Sequence, residues 1–297
     1  MTSVAEPVVG RASQPIYEKR TGIRHRIDPW QLLVLPASGY LLLAFAAPLA
    51  LMFAGSFYAG GGLSFENYDR VLLDSRGLQA TANTIRYATW VTLGCVLLGV
   101  PTAMAMTRAS ARTQMIVLIG MLLPMSSSIV VKSFGWMILF RRTGLINEAL
   151  MSLGLISVPV ALLFTEHGLI IATISLKLPL MVLPVFAVLR QIPGQLRDAA
   201  ITLGAGPVYR FRRVTLPLAL PGIAVGIAIV FSQTAASYLI PTLLGGGRYP
   251  TLSKSIVESY VASQAALGSA FSVVLLGVVG VVVWLSGRFG KNHQATR

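Results

Sequence analysis

The sequence predicts an all-α membrane protein with six transmembrane helices, on three observations. First, 55% of the 297 residues are hydrophobic and 11% are charged, with a mean hydropathy of +0.72. A water-soluble domain devotes about 25% of its residues to charge, so much of this surface must face lipid. Second, six apolar runs approach the roughly 20 helical residues that cross a bilayer. They fall at 31–57, 87–106, 114–131 with a possible extension to 140, 168–189, 217–238 and 265–287. Third, the ten-residue alternating segments of a membrane barrel are absent. Lipid offers no partner for free backbone groups, so helices are the expected spanning structure.

The spans organise the rest of the chain. Residues 1–30 are polar and basic, with no apolar core followed by a cleavage site, and read as a cytoplasmic tail ahead of an uncleaved anchor. A single membrane domain covers 31–287, and 288–297 form a second cytoplasmic tail. With the N-terminus inside, that side carries fifteen Lys/Arg against four acids, and the other side seven against six. This is the positive-inside bias. The net charge of +14 therefore reports topology and not nucleic acid. The loop at 190–216 is then cytoplasmic. The connections 58–86, 141–167 and 239–264 are external and contain turn material at Gly60–Gly62, Gly144–Asn147 and Gly245–Gly247.

Several function classes lose support. Cys95, the only cysteine, excludes an intrachain disulfide or CxxC metal site and reads as a small buried hydrophobe. His25, His167 and His293 lie outside the spans and form no ligand cluster. There is no phosphate-binding G-x-x-x-x-G-K-[ST] loop and no hydrolase or protease motif. Gly222 and Gly226 have the spacing that lets two helices approach closely.

The loop at 190–216 is more patterned than a connection needs to be. Pro193 suits a helix start, and Leu196, Ala199, Ala200 and Leu203 form one apolar face. Gly204 and Gly206 permit a turn. Pro207 begins a second short helix carrying Phe211 and Val214, and Pro217 is expected to end it before the next span. Periodicity alone leaves an interfacial helix on anionic lipid and a docking element for a cytoplasmic partner both open.

The residues in this loop resemble the EAA loop of ABC importer permeases. Asp198-Ala199-Ala200 stand for E-A-A; after three intervening residues comes Gly204, and after nine more Val214-Thr215-Leu216-Pro217 stand for I-x-L-P. Asp keeps the negative charge on a shorter arm. Between residues 57 and 290 the similarity is greatest to the spermidine/putrescine-type permeases. It is carried by Phe65–Tyr68, Asn83-Thr84, Gly99–Pro101, Gly135-Trp136, Gly144–Asn147, Leu178–Pro184 and Pro241–Gly246. The resemblance implies that Asp198, Ala199, Ala200, Gly204, Tyr209, Phe211, Arg212, Leu216 and Pro217 couple this chain to a separate motor. It further implies a bacterial inner-membrane complex with two ATPase subunits, a second permease subunit and an extracytoplasmic binding protein. ATP and Mg would bind the ATPase, leaving this chain without cofactor, metal site or catalytic residue.

Cargo is less directly written. The resemblance implies a polyamine, which carboxylates and aromatic faces would suit. The six apolar runs contain no acid, however. The acids nearest the outer mouth are Glu148, Glu166 and Glu258, and the spans hold Lys132 and Lys177 instead. Charge inside a span is expensive and usually faces a cavity or a partner. Lys177, Lys132, Trp136, Phe231 and Tyr238 are therefore the candidates for a substrate path, with a contact at the subunit interface the alternative for Lys177, snorkelling to the interface for Lys132 and packing for the aromatics. The lysines favour an anionic or zwitterionic solute such as an opine or phosphonate. A self-sufficient secondary carrier is the alternative of a different class.

Overall fold

A computed structural model describes residues 29–59, 62–192, 195, 202, 204–247 and 249–292. Five helices among these are long and apolar enough to cross a membrane, and a pair bent by 101° makes a sixth if it is one span. Residues up to Pro48 form one compact unit and Leu49 onwards a second. Helix α1 (Pro29–Ser56) begins in the first. From Pro36 to Pro48 every side chain is exposed. An apolar helix with no buried face requires lipid or another helix around it.

Within the larger unit, α3 (Ser75–Arg108), α7 (Glu166–Arg190), α8 (Pro207–Ala235) and α11 (Ala265–Asn292) form the packed bundle. Helix α3 packs on α7 and α8, and α8 packs on α7 and α11. Tyr87, Val91 and Cys95 from α3 meet Leu169, Met181 and Val185 from α7 and Val230 from α8 in the main core. The Tyr87 and Thr173 hydroxyls satisfy each other there at 2.7 Å, as buried polar groups require. Gly222 and Gly226 let α8 sit close on α7: a Cβ at Gly222 would lie 2.9 Å from the Pro184 carbonyl oxygen, and one at Gly226 2.5 Å from Met181 Sδ.

Three features differ from the sequence reading. The third span is α4 (Ala111–Met125) and α5 (Ile129–Leu139), bent by 101° at Ser126–Ser128. The serines supply the break: Ser127 Oγ donates to Pro124 O at 2.8 Å, and Ser128 Oγ accepts from Val130 N at 3.3 Å, restarting the helix. The connections 58–86, 141–167 and 239–264 contain more than turns. They hold a two-stranded hairpin (Tyr58–Ala59 with Gly62–Leu63), α2 (Glu66–Leu72), α6 (Leu145–Ser152), α9 (Leu239–Leu244) and α10 (Leu252–Val261). The last helix runs to Asn292, past the expected boundary at 287.

Those connections are locked to the bundle by side chains. Asn83 Nδ2 donates to Pro250 O at 3.1 Å, and Leu252 N donates to Thr84 Oγ1 at 2.8 Å. Arg86 Nη2 meets Glu166 Oε2 at 2.8 Å, and Tyr249 Oη donates to Glu166 Oε1 at 3.1 Å. Burial pushes the Tyr249 phenol above its ordinary value of 10.0. A phenol raised on folding stabilises the native corner at every pH below its unfolded value, and that contribution is lost as pH rises through the folded value. Thermal stability should therefore be indifferent to Tyr249 ionisation at neutral pH and fall above pH 10, a fall that Tyr249→Phe should reduce. An alkaline transition identical in the two proteins would contradict this.

Candidate functional site

Two regions concentrate the predicted site residues. At the first, Asp198, Ala199 and Ala200 lie outside the described residues, while Gln195 and Thr202 are helical. Gly204 turns the chain with φ +74°, a left-handed conformation that glycine adopts at no steric cost. Pro207 then starts a helix, as expected.

Beyond Pro207 the structure corrects the sequence reading, because the chain does not break before the span. A turn at Pro207–Arg210 passes through a π-helical segment at Phe211–Thr215 into Leu216–Ala235, making one 29-residue helix. Leu216 N donates to Phe211 O, five residues back. In a regular α-helix, Pro217 would forfeit a hydrogen bond and its ring would strike the carbonyl four residues earlier. The wider turn absorbs both problems, a common use of π segments at functional sites. Pro207–Thr215 is thereby continuous with the spanning helix α8. Val208 and Tyr209 are 67% and 60% exposed and Arg212 is exposed, while Phe211, Leu216 and Pro217 are half-buried, with Leu216 packed on the main core.

The second region surrounds Lys177 on α7, with Lys132 on α5 and the Cys95 thiol on α3 as its electrostatic neighbours. Lys177 is 8% exposed. Among the described residues it makes no hydrogen bond or ion pair. Lys132 donates from Nζ to Pro124 O at 3.0 Å, tying α5 back to the end of α4. Trp136 packs on Phe140 with ring centroids 4.9 Å apart. Phe231 is buried with Ala88 and Ala235 and backed by Val278, Val279 and Val282, so its ring is enclosed by α3, α8 and α11. Tyr238 is half-buried and immediately precedes α9, with no side-chain capping bond.

The three external acids are differently engaged. Glu166 is held by Arg86 and Tyr249, and Glu258 lies 3.5 Å from Lys254. Glu148 is exposed in the first turn of α6, where the helix dipole favours a carboxylate. Arg86, Trp90, Glu166, His167, Ile170 and Ile171 line a cleft of about 460 Å³, but its one carboxylate is already neutralised.

A multi-spanning helical bundle with a patterned loop feeding into one of its spans is the architecture of a membrane permease. The chain belongs to the family of binding-protein-dependent transport system inner membrane components, whose model matches residues 39–291. It is 28% identical over 260 residues to the spermidine/putrescine transport system permease protein PotB of Haemophilus influenzae, covering 85% of this chain and 91% of that one. It is 28% identical over 274 residues to PhnU of Salmonella paratyphi A, named for 2-aminoethylphosphonate transport, covering 89% and 93%. The fold is also that of a bacterial alginate ABC transporter, solved in complex with an alginate pentasaccharide-bound periplasmic protein. There the TM-score is 0.73 at 19% identity, covering 89% of this chain and 94% of that one. The protein is thus a multi-pass inner-membrane permease subunit of an ABC importer.

Proposed function

We propose that this chain is coupled to two ATPase subunits and paired with a second permease subunit. It receives a small amine-bearing solute from an extracytoplasmic binding protein. The observation that carries the coupling is the unbroken helix from Pro207 through the π turn into the span, with Val208 and Tyr209 exposed at its start. An exposed Val-Tyr pair beside arginines is suited to docking in a cleft of a soluble partner. ATP-driven closure of the motor would move this loop and, through α8, rock the spans between two facing states. The loop end and both chain termini are cytoplasmic in this reading, supported by the excess of Lys/Arg on that side. The amine-bearing cargo follows the relatives, which are named for spermidine, putrescine and 2-aminoethylphosphonate. The first two names support a polyamine; the buried lysine favours a solute that also bears an acid.

Placing the only thiol at the loop tests the coupling. In a Cys95→Ala background, Tyr209→Cys should react with impermeant thiol reagents from the cytoplasmic side alone and should cross-link to the co-expressed ATPase subunit. Labelling from the outer side, or no cross-link in an assembled complex, would remove the loop from its assigned role.

A further inference from the structure

We infer that the cargo carries an acidic group, and that Lys177, Lys132 and the N-terminus of α5 hold it midway through the membrane. The inference rests on the importer reading and names the chemistry of its translocation path. Lys177 stands near the middle of the 25-residue helix α7 and is 8% exposed, with no hydrogen bond or ion pair among the described residues. A charge largely withdrawn from water with no counter-charge beside it is costly to keep. Its charged neighbour is a second cation, Lys132, so the surroundings worsen the cost.

The break in the third span supplies an independent observation. The 101° bend starts the 11-residue helix α5 from its N-cap Ser128, with its first N–H groups and the positive end of its dipole at that point. Ser128 satisfies one of those donors. Lys132 sits in this first turn, where the dipole disfavours a cation. Interrupted helices in transporters use this geometry to meet anionic groups of their substrates. Lys132, in the first turn of α5, is thus the charged neighbour of Lys177 on α7. The only acid in any spanning helix is Glu166, at the first residue of α7 and already paired with Arg86.

A carboxylate or phosphonate answers all three features, whereas a bare polycation would be repelled. Joined to the amine expected from the relatives, the cargo is a zwitterion: an aminophosphonate or an amino-acid-like acid.

The test is ATP-dependent uptake by the complete complex in proteoliposomes. Spermidine, putrescine, 2-aminoethylphosphonate and an opine are supplied with the binding protein, and co-purification of the ATPase scores assembly separately. Wild type should take up a zwitterion. Lys177→Met should lose about tenfold or more of that uptake, Lys132→Gln a smaller share, and Lys177→Arg should retain most of it. Removal of an unpaired buried charge should meanwhile leave the Tm of Lys177→Met equal to or above that of wild type, which separates a binding role from a structural one. Millimolar 2-aminoethylphosphonate or methylphosphonate should raise the Tm of wild type and not of Lys177→Met. Uptake of polyamines with indifference to Lys177→Met, or no Tm shift with either phosphonate, overturns the anion site and leaves the importer reading standing. A complex that fails to assemble overturns that reading, and the inference with it.

Discussion

Replacing Gly204 with valine is expected to lower cargo-stimulated ATP hydrolysis by the assembled complex about tenfold, with little loss of folded permease. The backbone there has φ +74°. A branched residue in that region is a steric outlier, and an L-residue pays about 1–2 kcal/mol, close to the roughly 1.4 kcal/mol that corresponds to tenfold. Nothing lies within 4 Å of where a Cβ would point, so the penalty comes from conformation and not from crowding inside this chain. Asparagine tolerates the left-handed region, which makes Gly204→Asn the informative companion. If conformation alone matters, Gly204→Asn keeps most of the stimulation. If the empty space at Gly204 is where the motor sits, both variants lose it. Stimulation at the wild-type level in both would show that the loop does not couple the chain to a motor.

The second large effect lies at the α7–α8 crossing. Gly222→Leu should destabilise the permease by about 3 kcal/mol, at the upper end of ordinary overpacking costs. Even Gly222→Ala is expected to be harmful, because its Cβ would meet backbone, 2.9 Å from Pro184 O and 3.0 Å from Val185 Cα. Gly226→Ala should be milder, since its nearest neighbour is Met181 Sδ at 2.5 Å and a thioether can swing aside. Thermal unfolding in detergent ranks the three. A ranking with Gly226→Ala below Gly222→Ala would mean that the two helices are not seated as described.

The spans are legible in the sequence because length and apolarity are set by the bilayer, and five of the six predicted runs lie wholly within or end no more than a few residues beyond the observed long helices. The Gly222–Gly226 contact is legible for a similar reason: a close crossing leaves few residue types to choose from. The bend in the third span escapes a reading by apolarity alone. Its signal is nonetheless present in Pro124 followed by Ser126, Ser127 and Ser128, residues that compete with the helix for backbone hydrogen bonds. At the loop, the rule that proline ends a helix assumes α register, and the π turn at Phe211–Thr215 evades it. Among the path candidates, the sequence places Lys177 near the centre of a span. It cannot reveal that the nearest charge is Lys132, because that depends on where the broken span returns. Phe231 shows the converse, an aromatic whose position suggests a path and whose ring is enclosed by three helices.

The central claim is that transport through this chain is driven by ATP and requires a binding protein. The most direct measurement is solute uptake into proteoliposomes holding the complete complex, with ATP inside, the loaded binding protein outside, and each omitted in turn. The account predicts uptake only when both are present, and none under a proton or sodium gradient alone. Uptake by this chain on an ion gradient, without ATPase subunit or binding protein, would identify a self-sufficient carrier and contradict it.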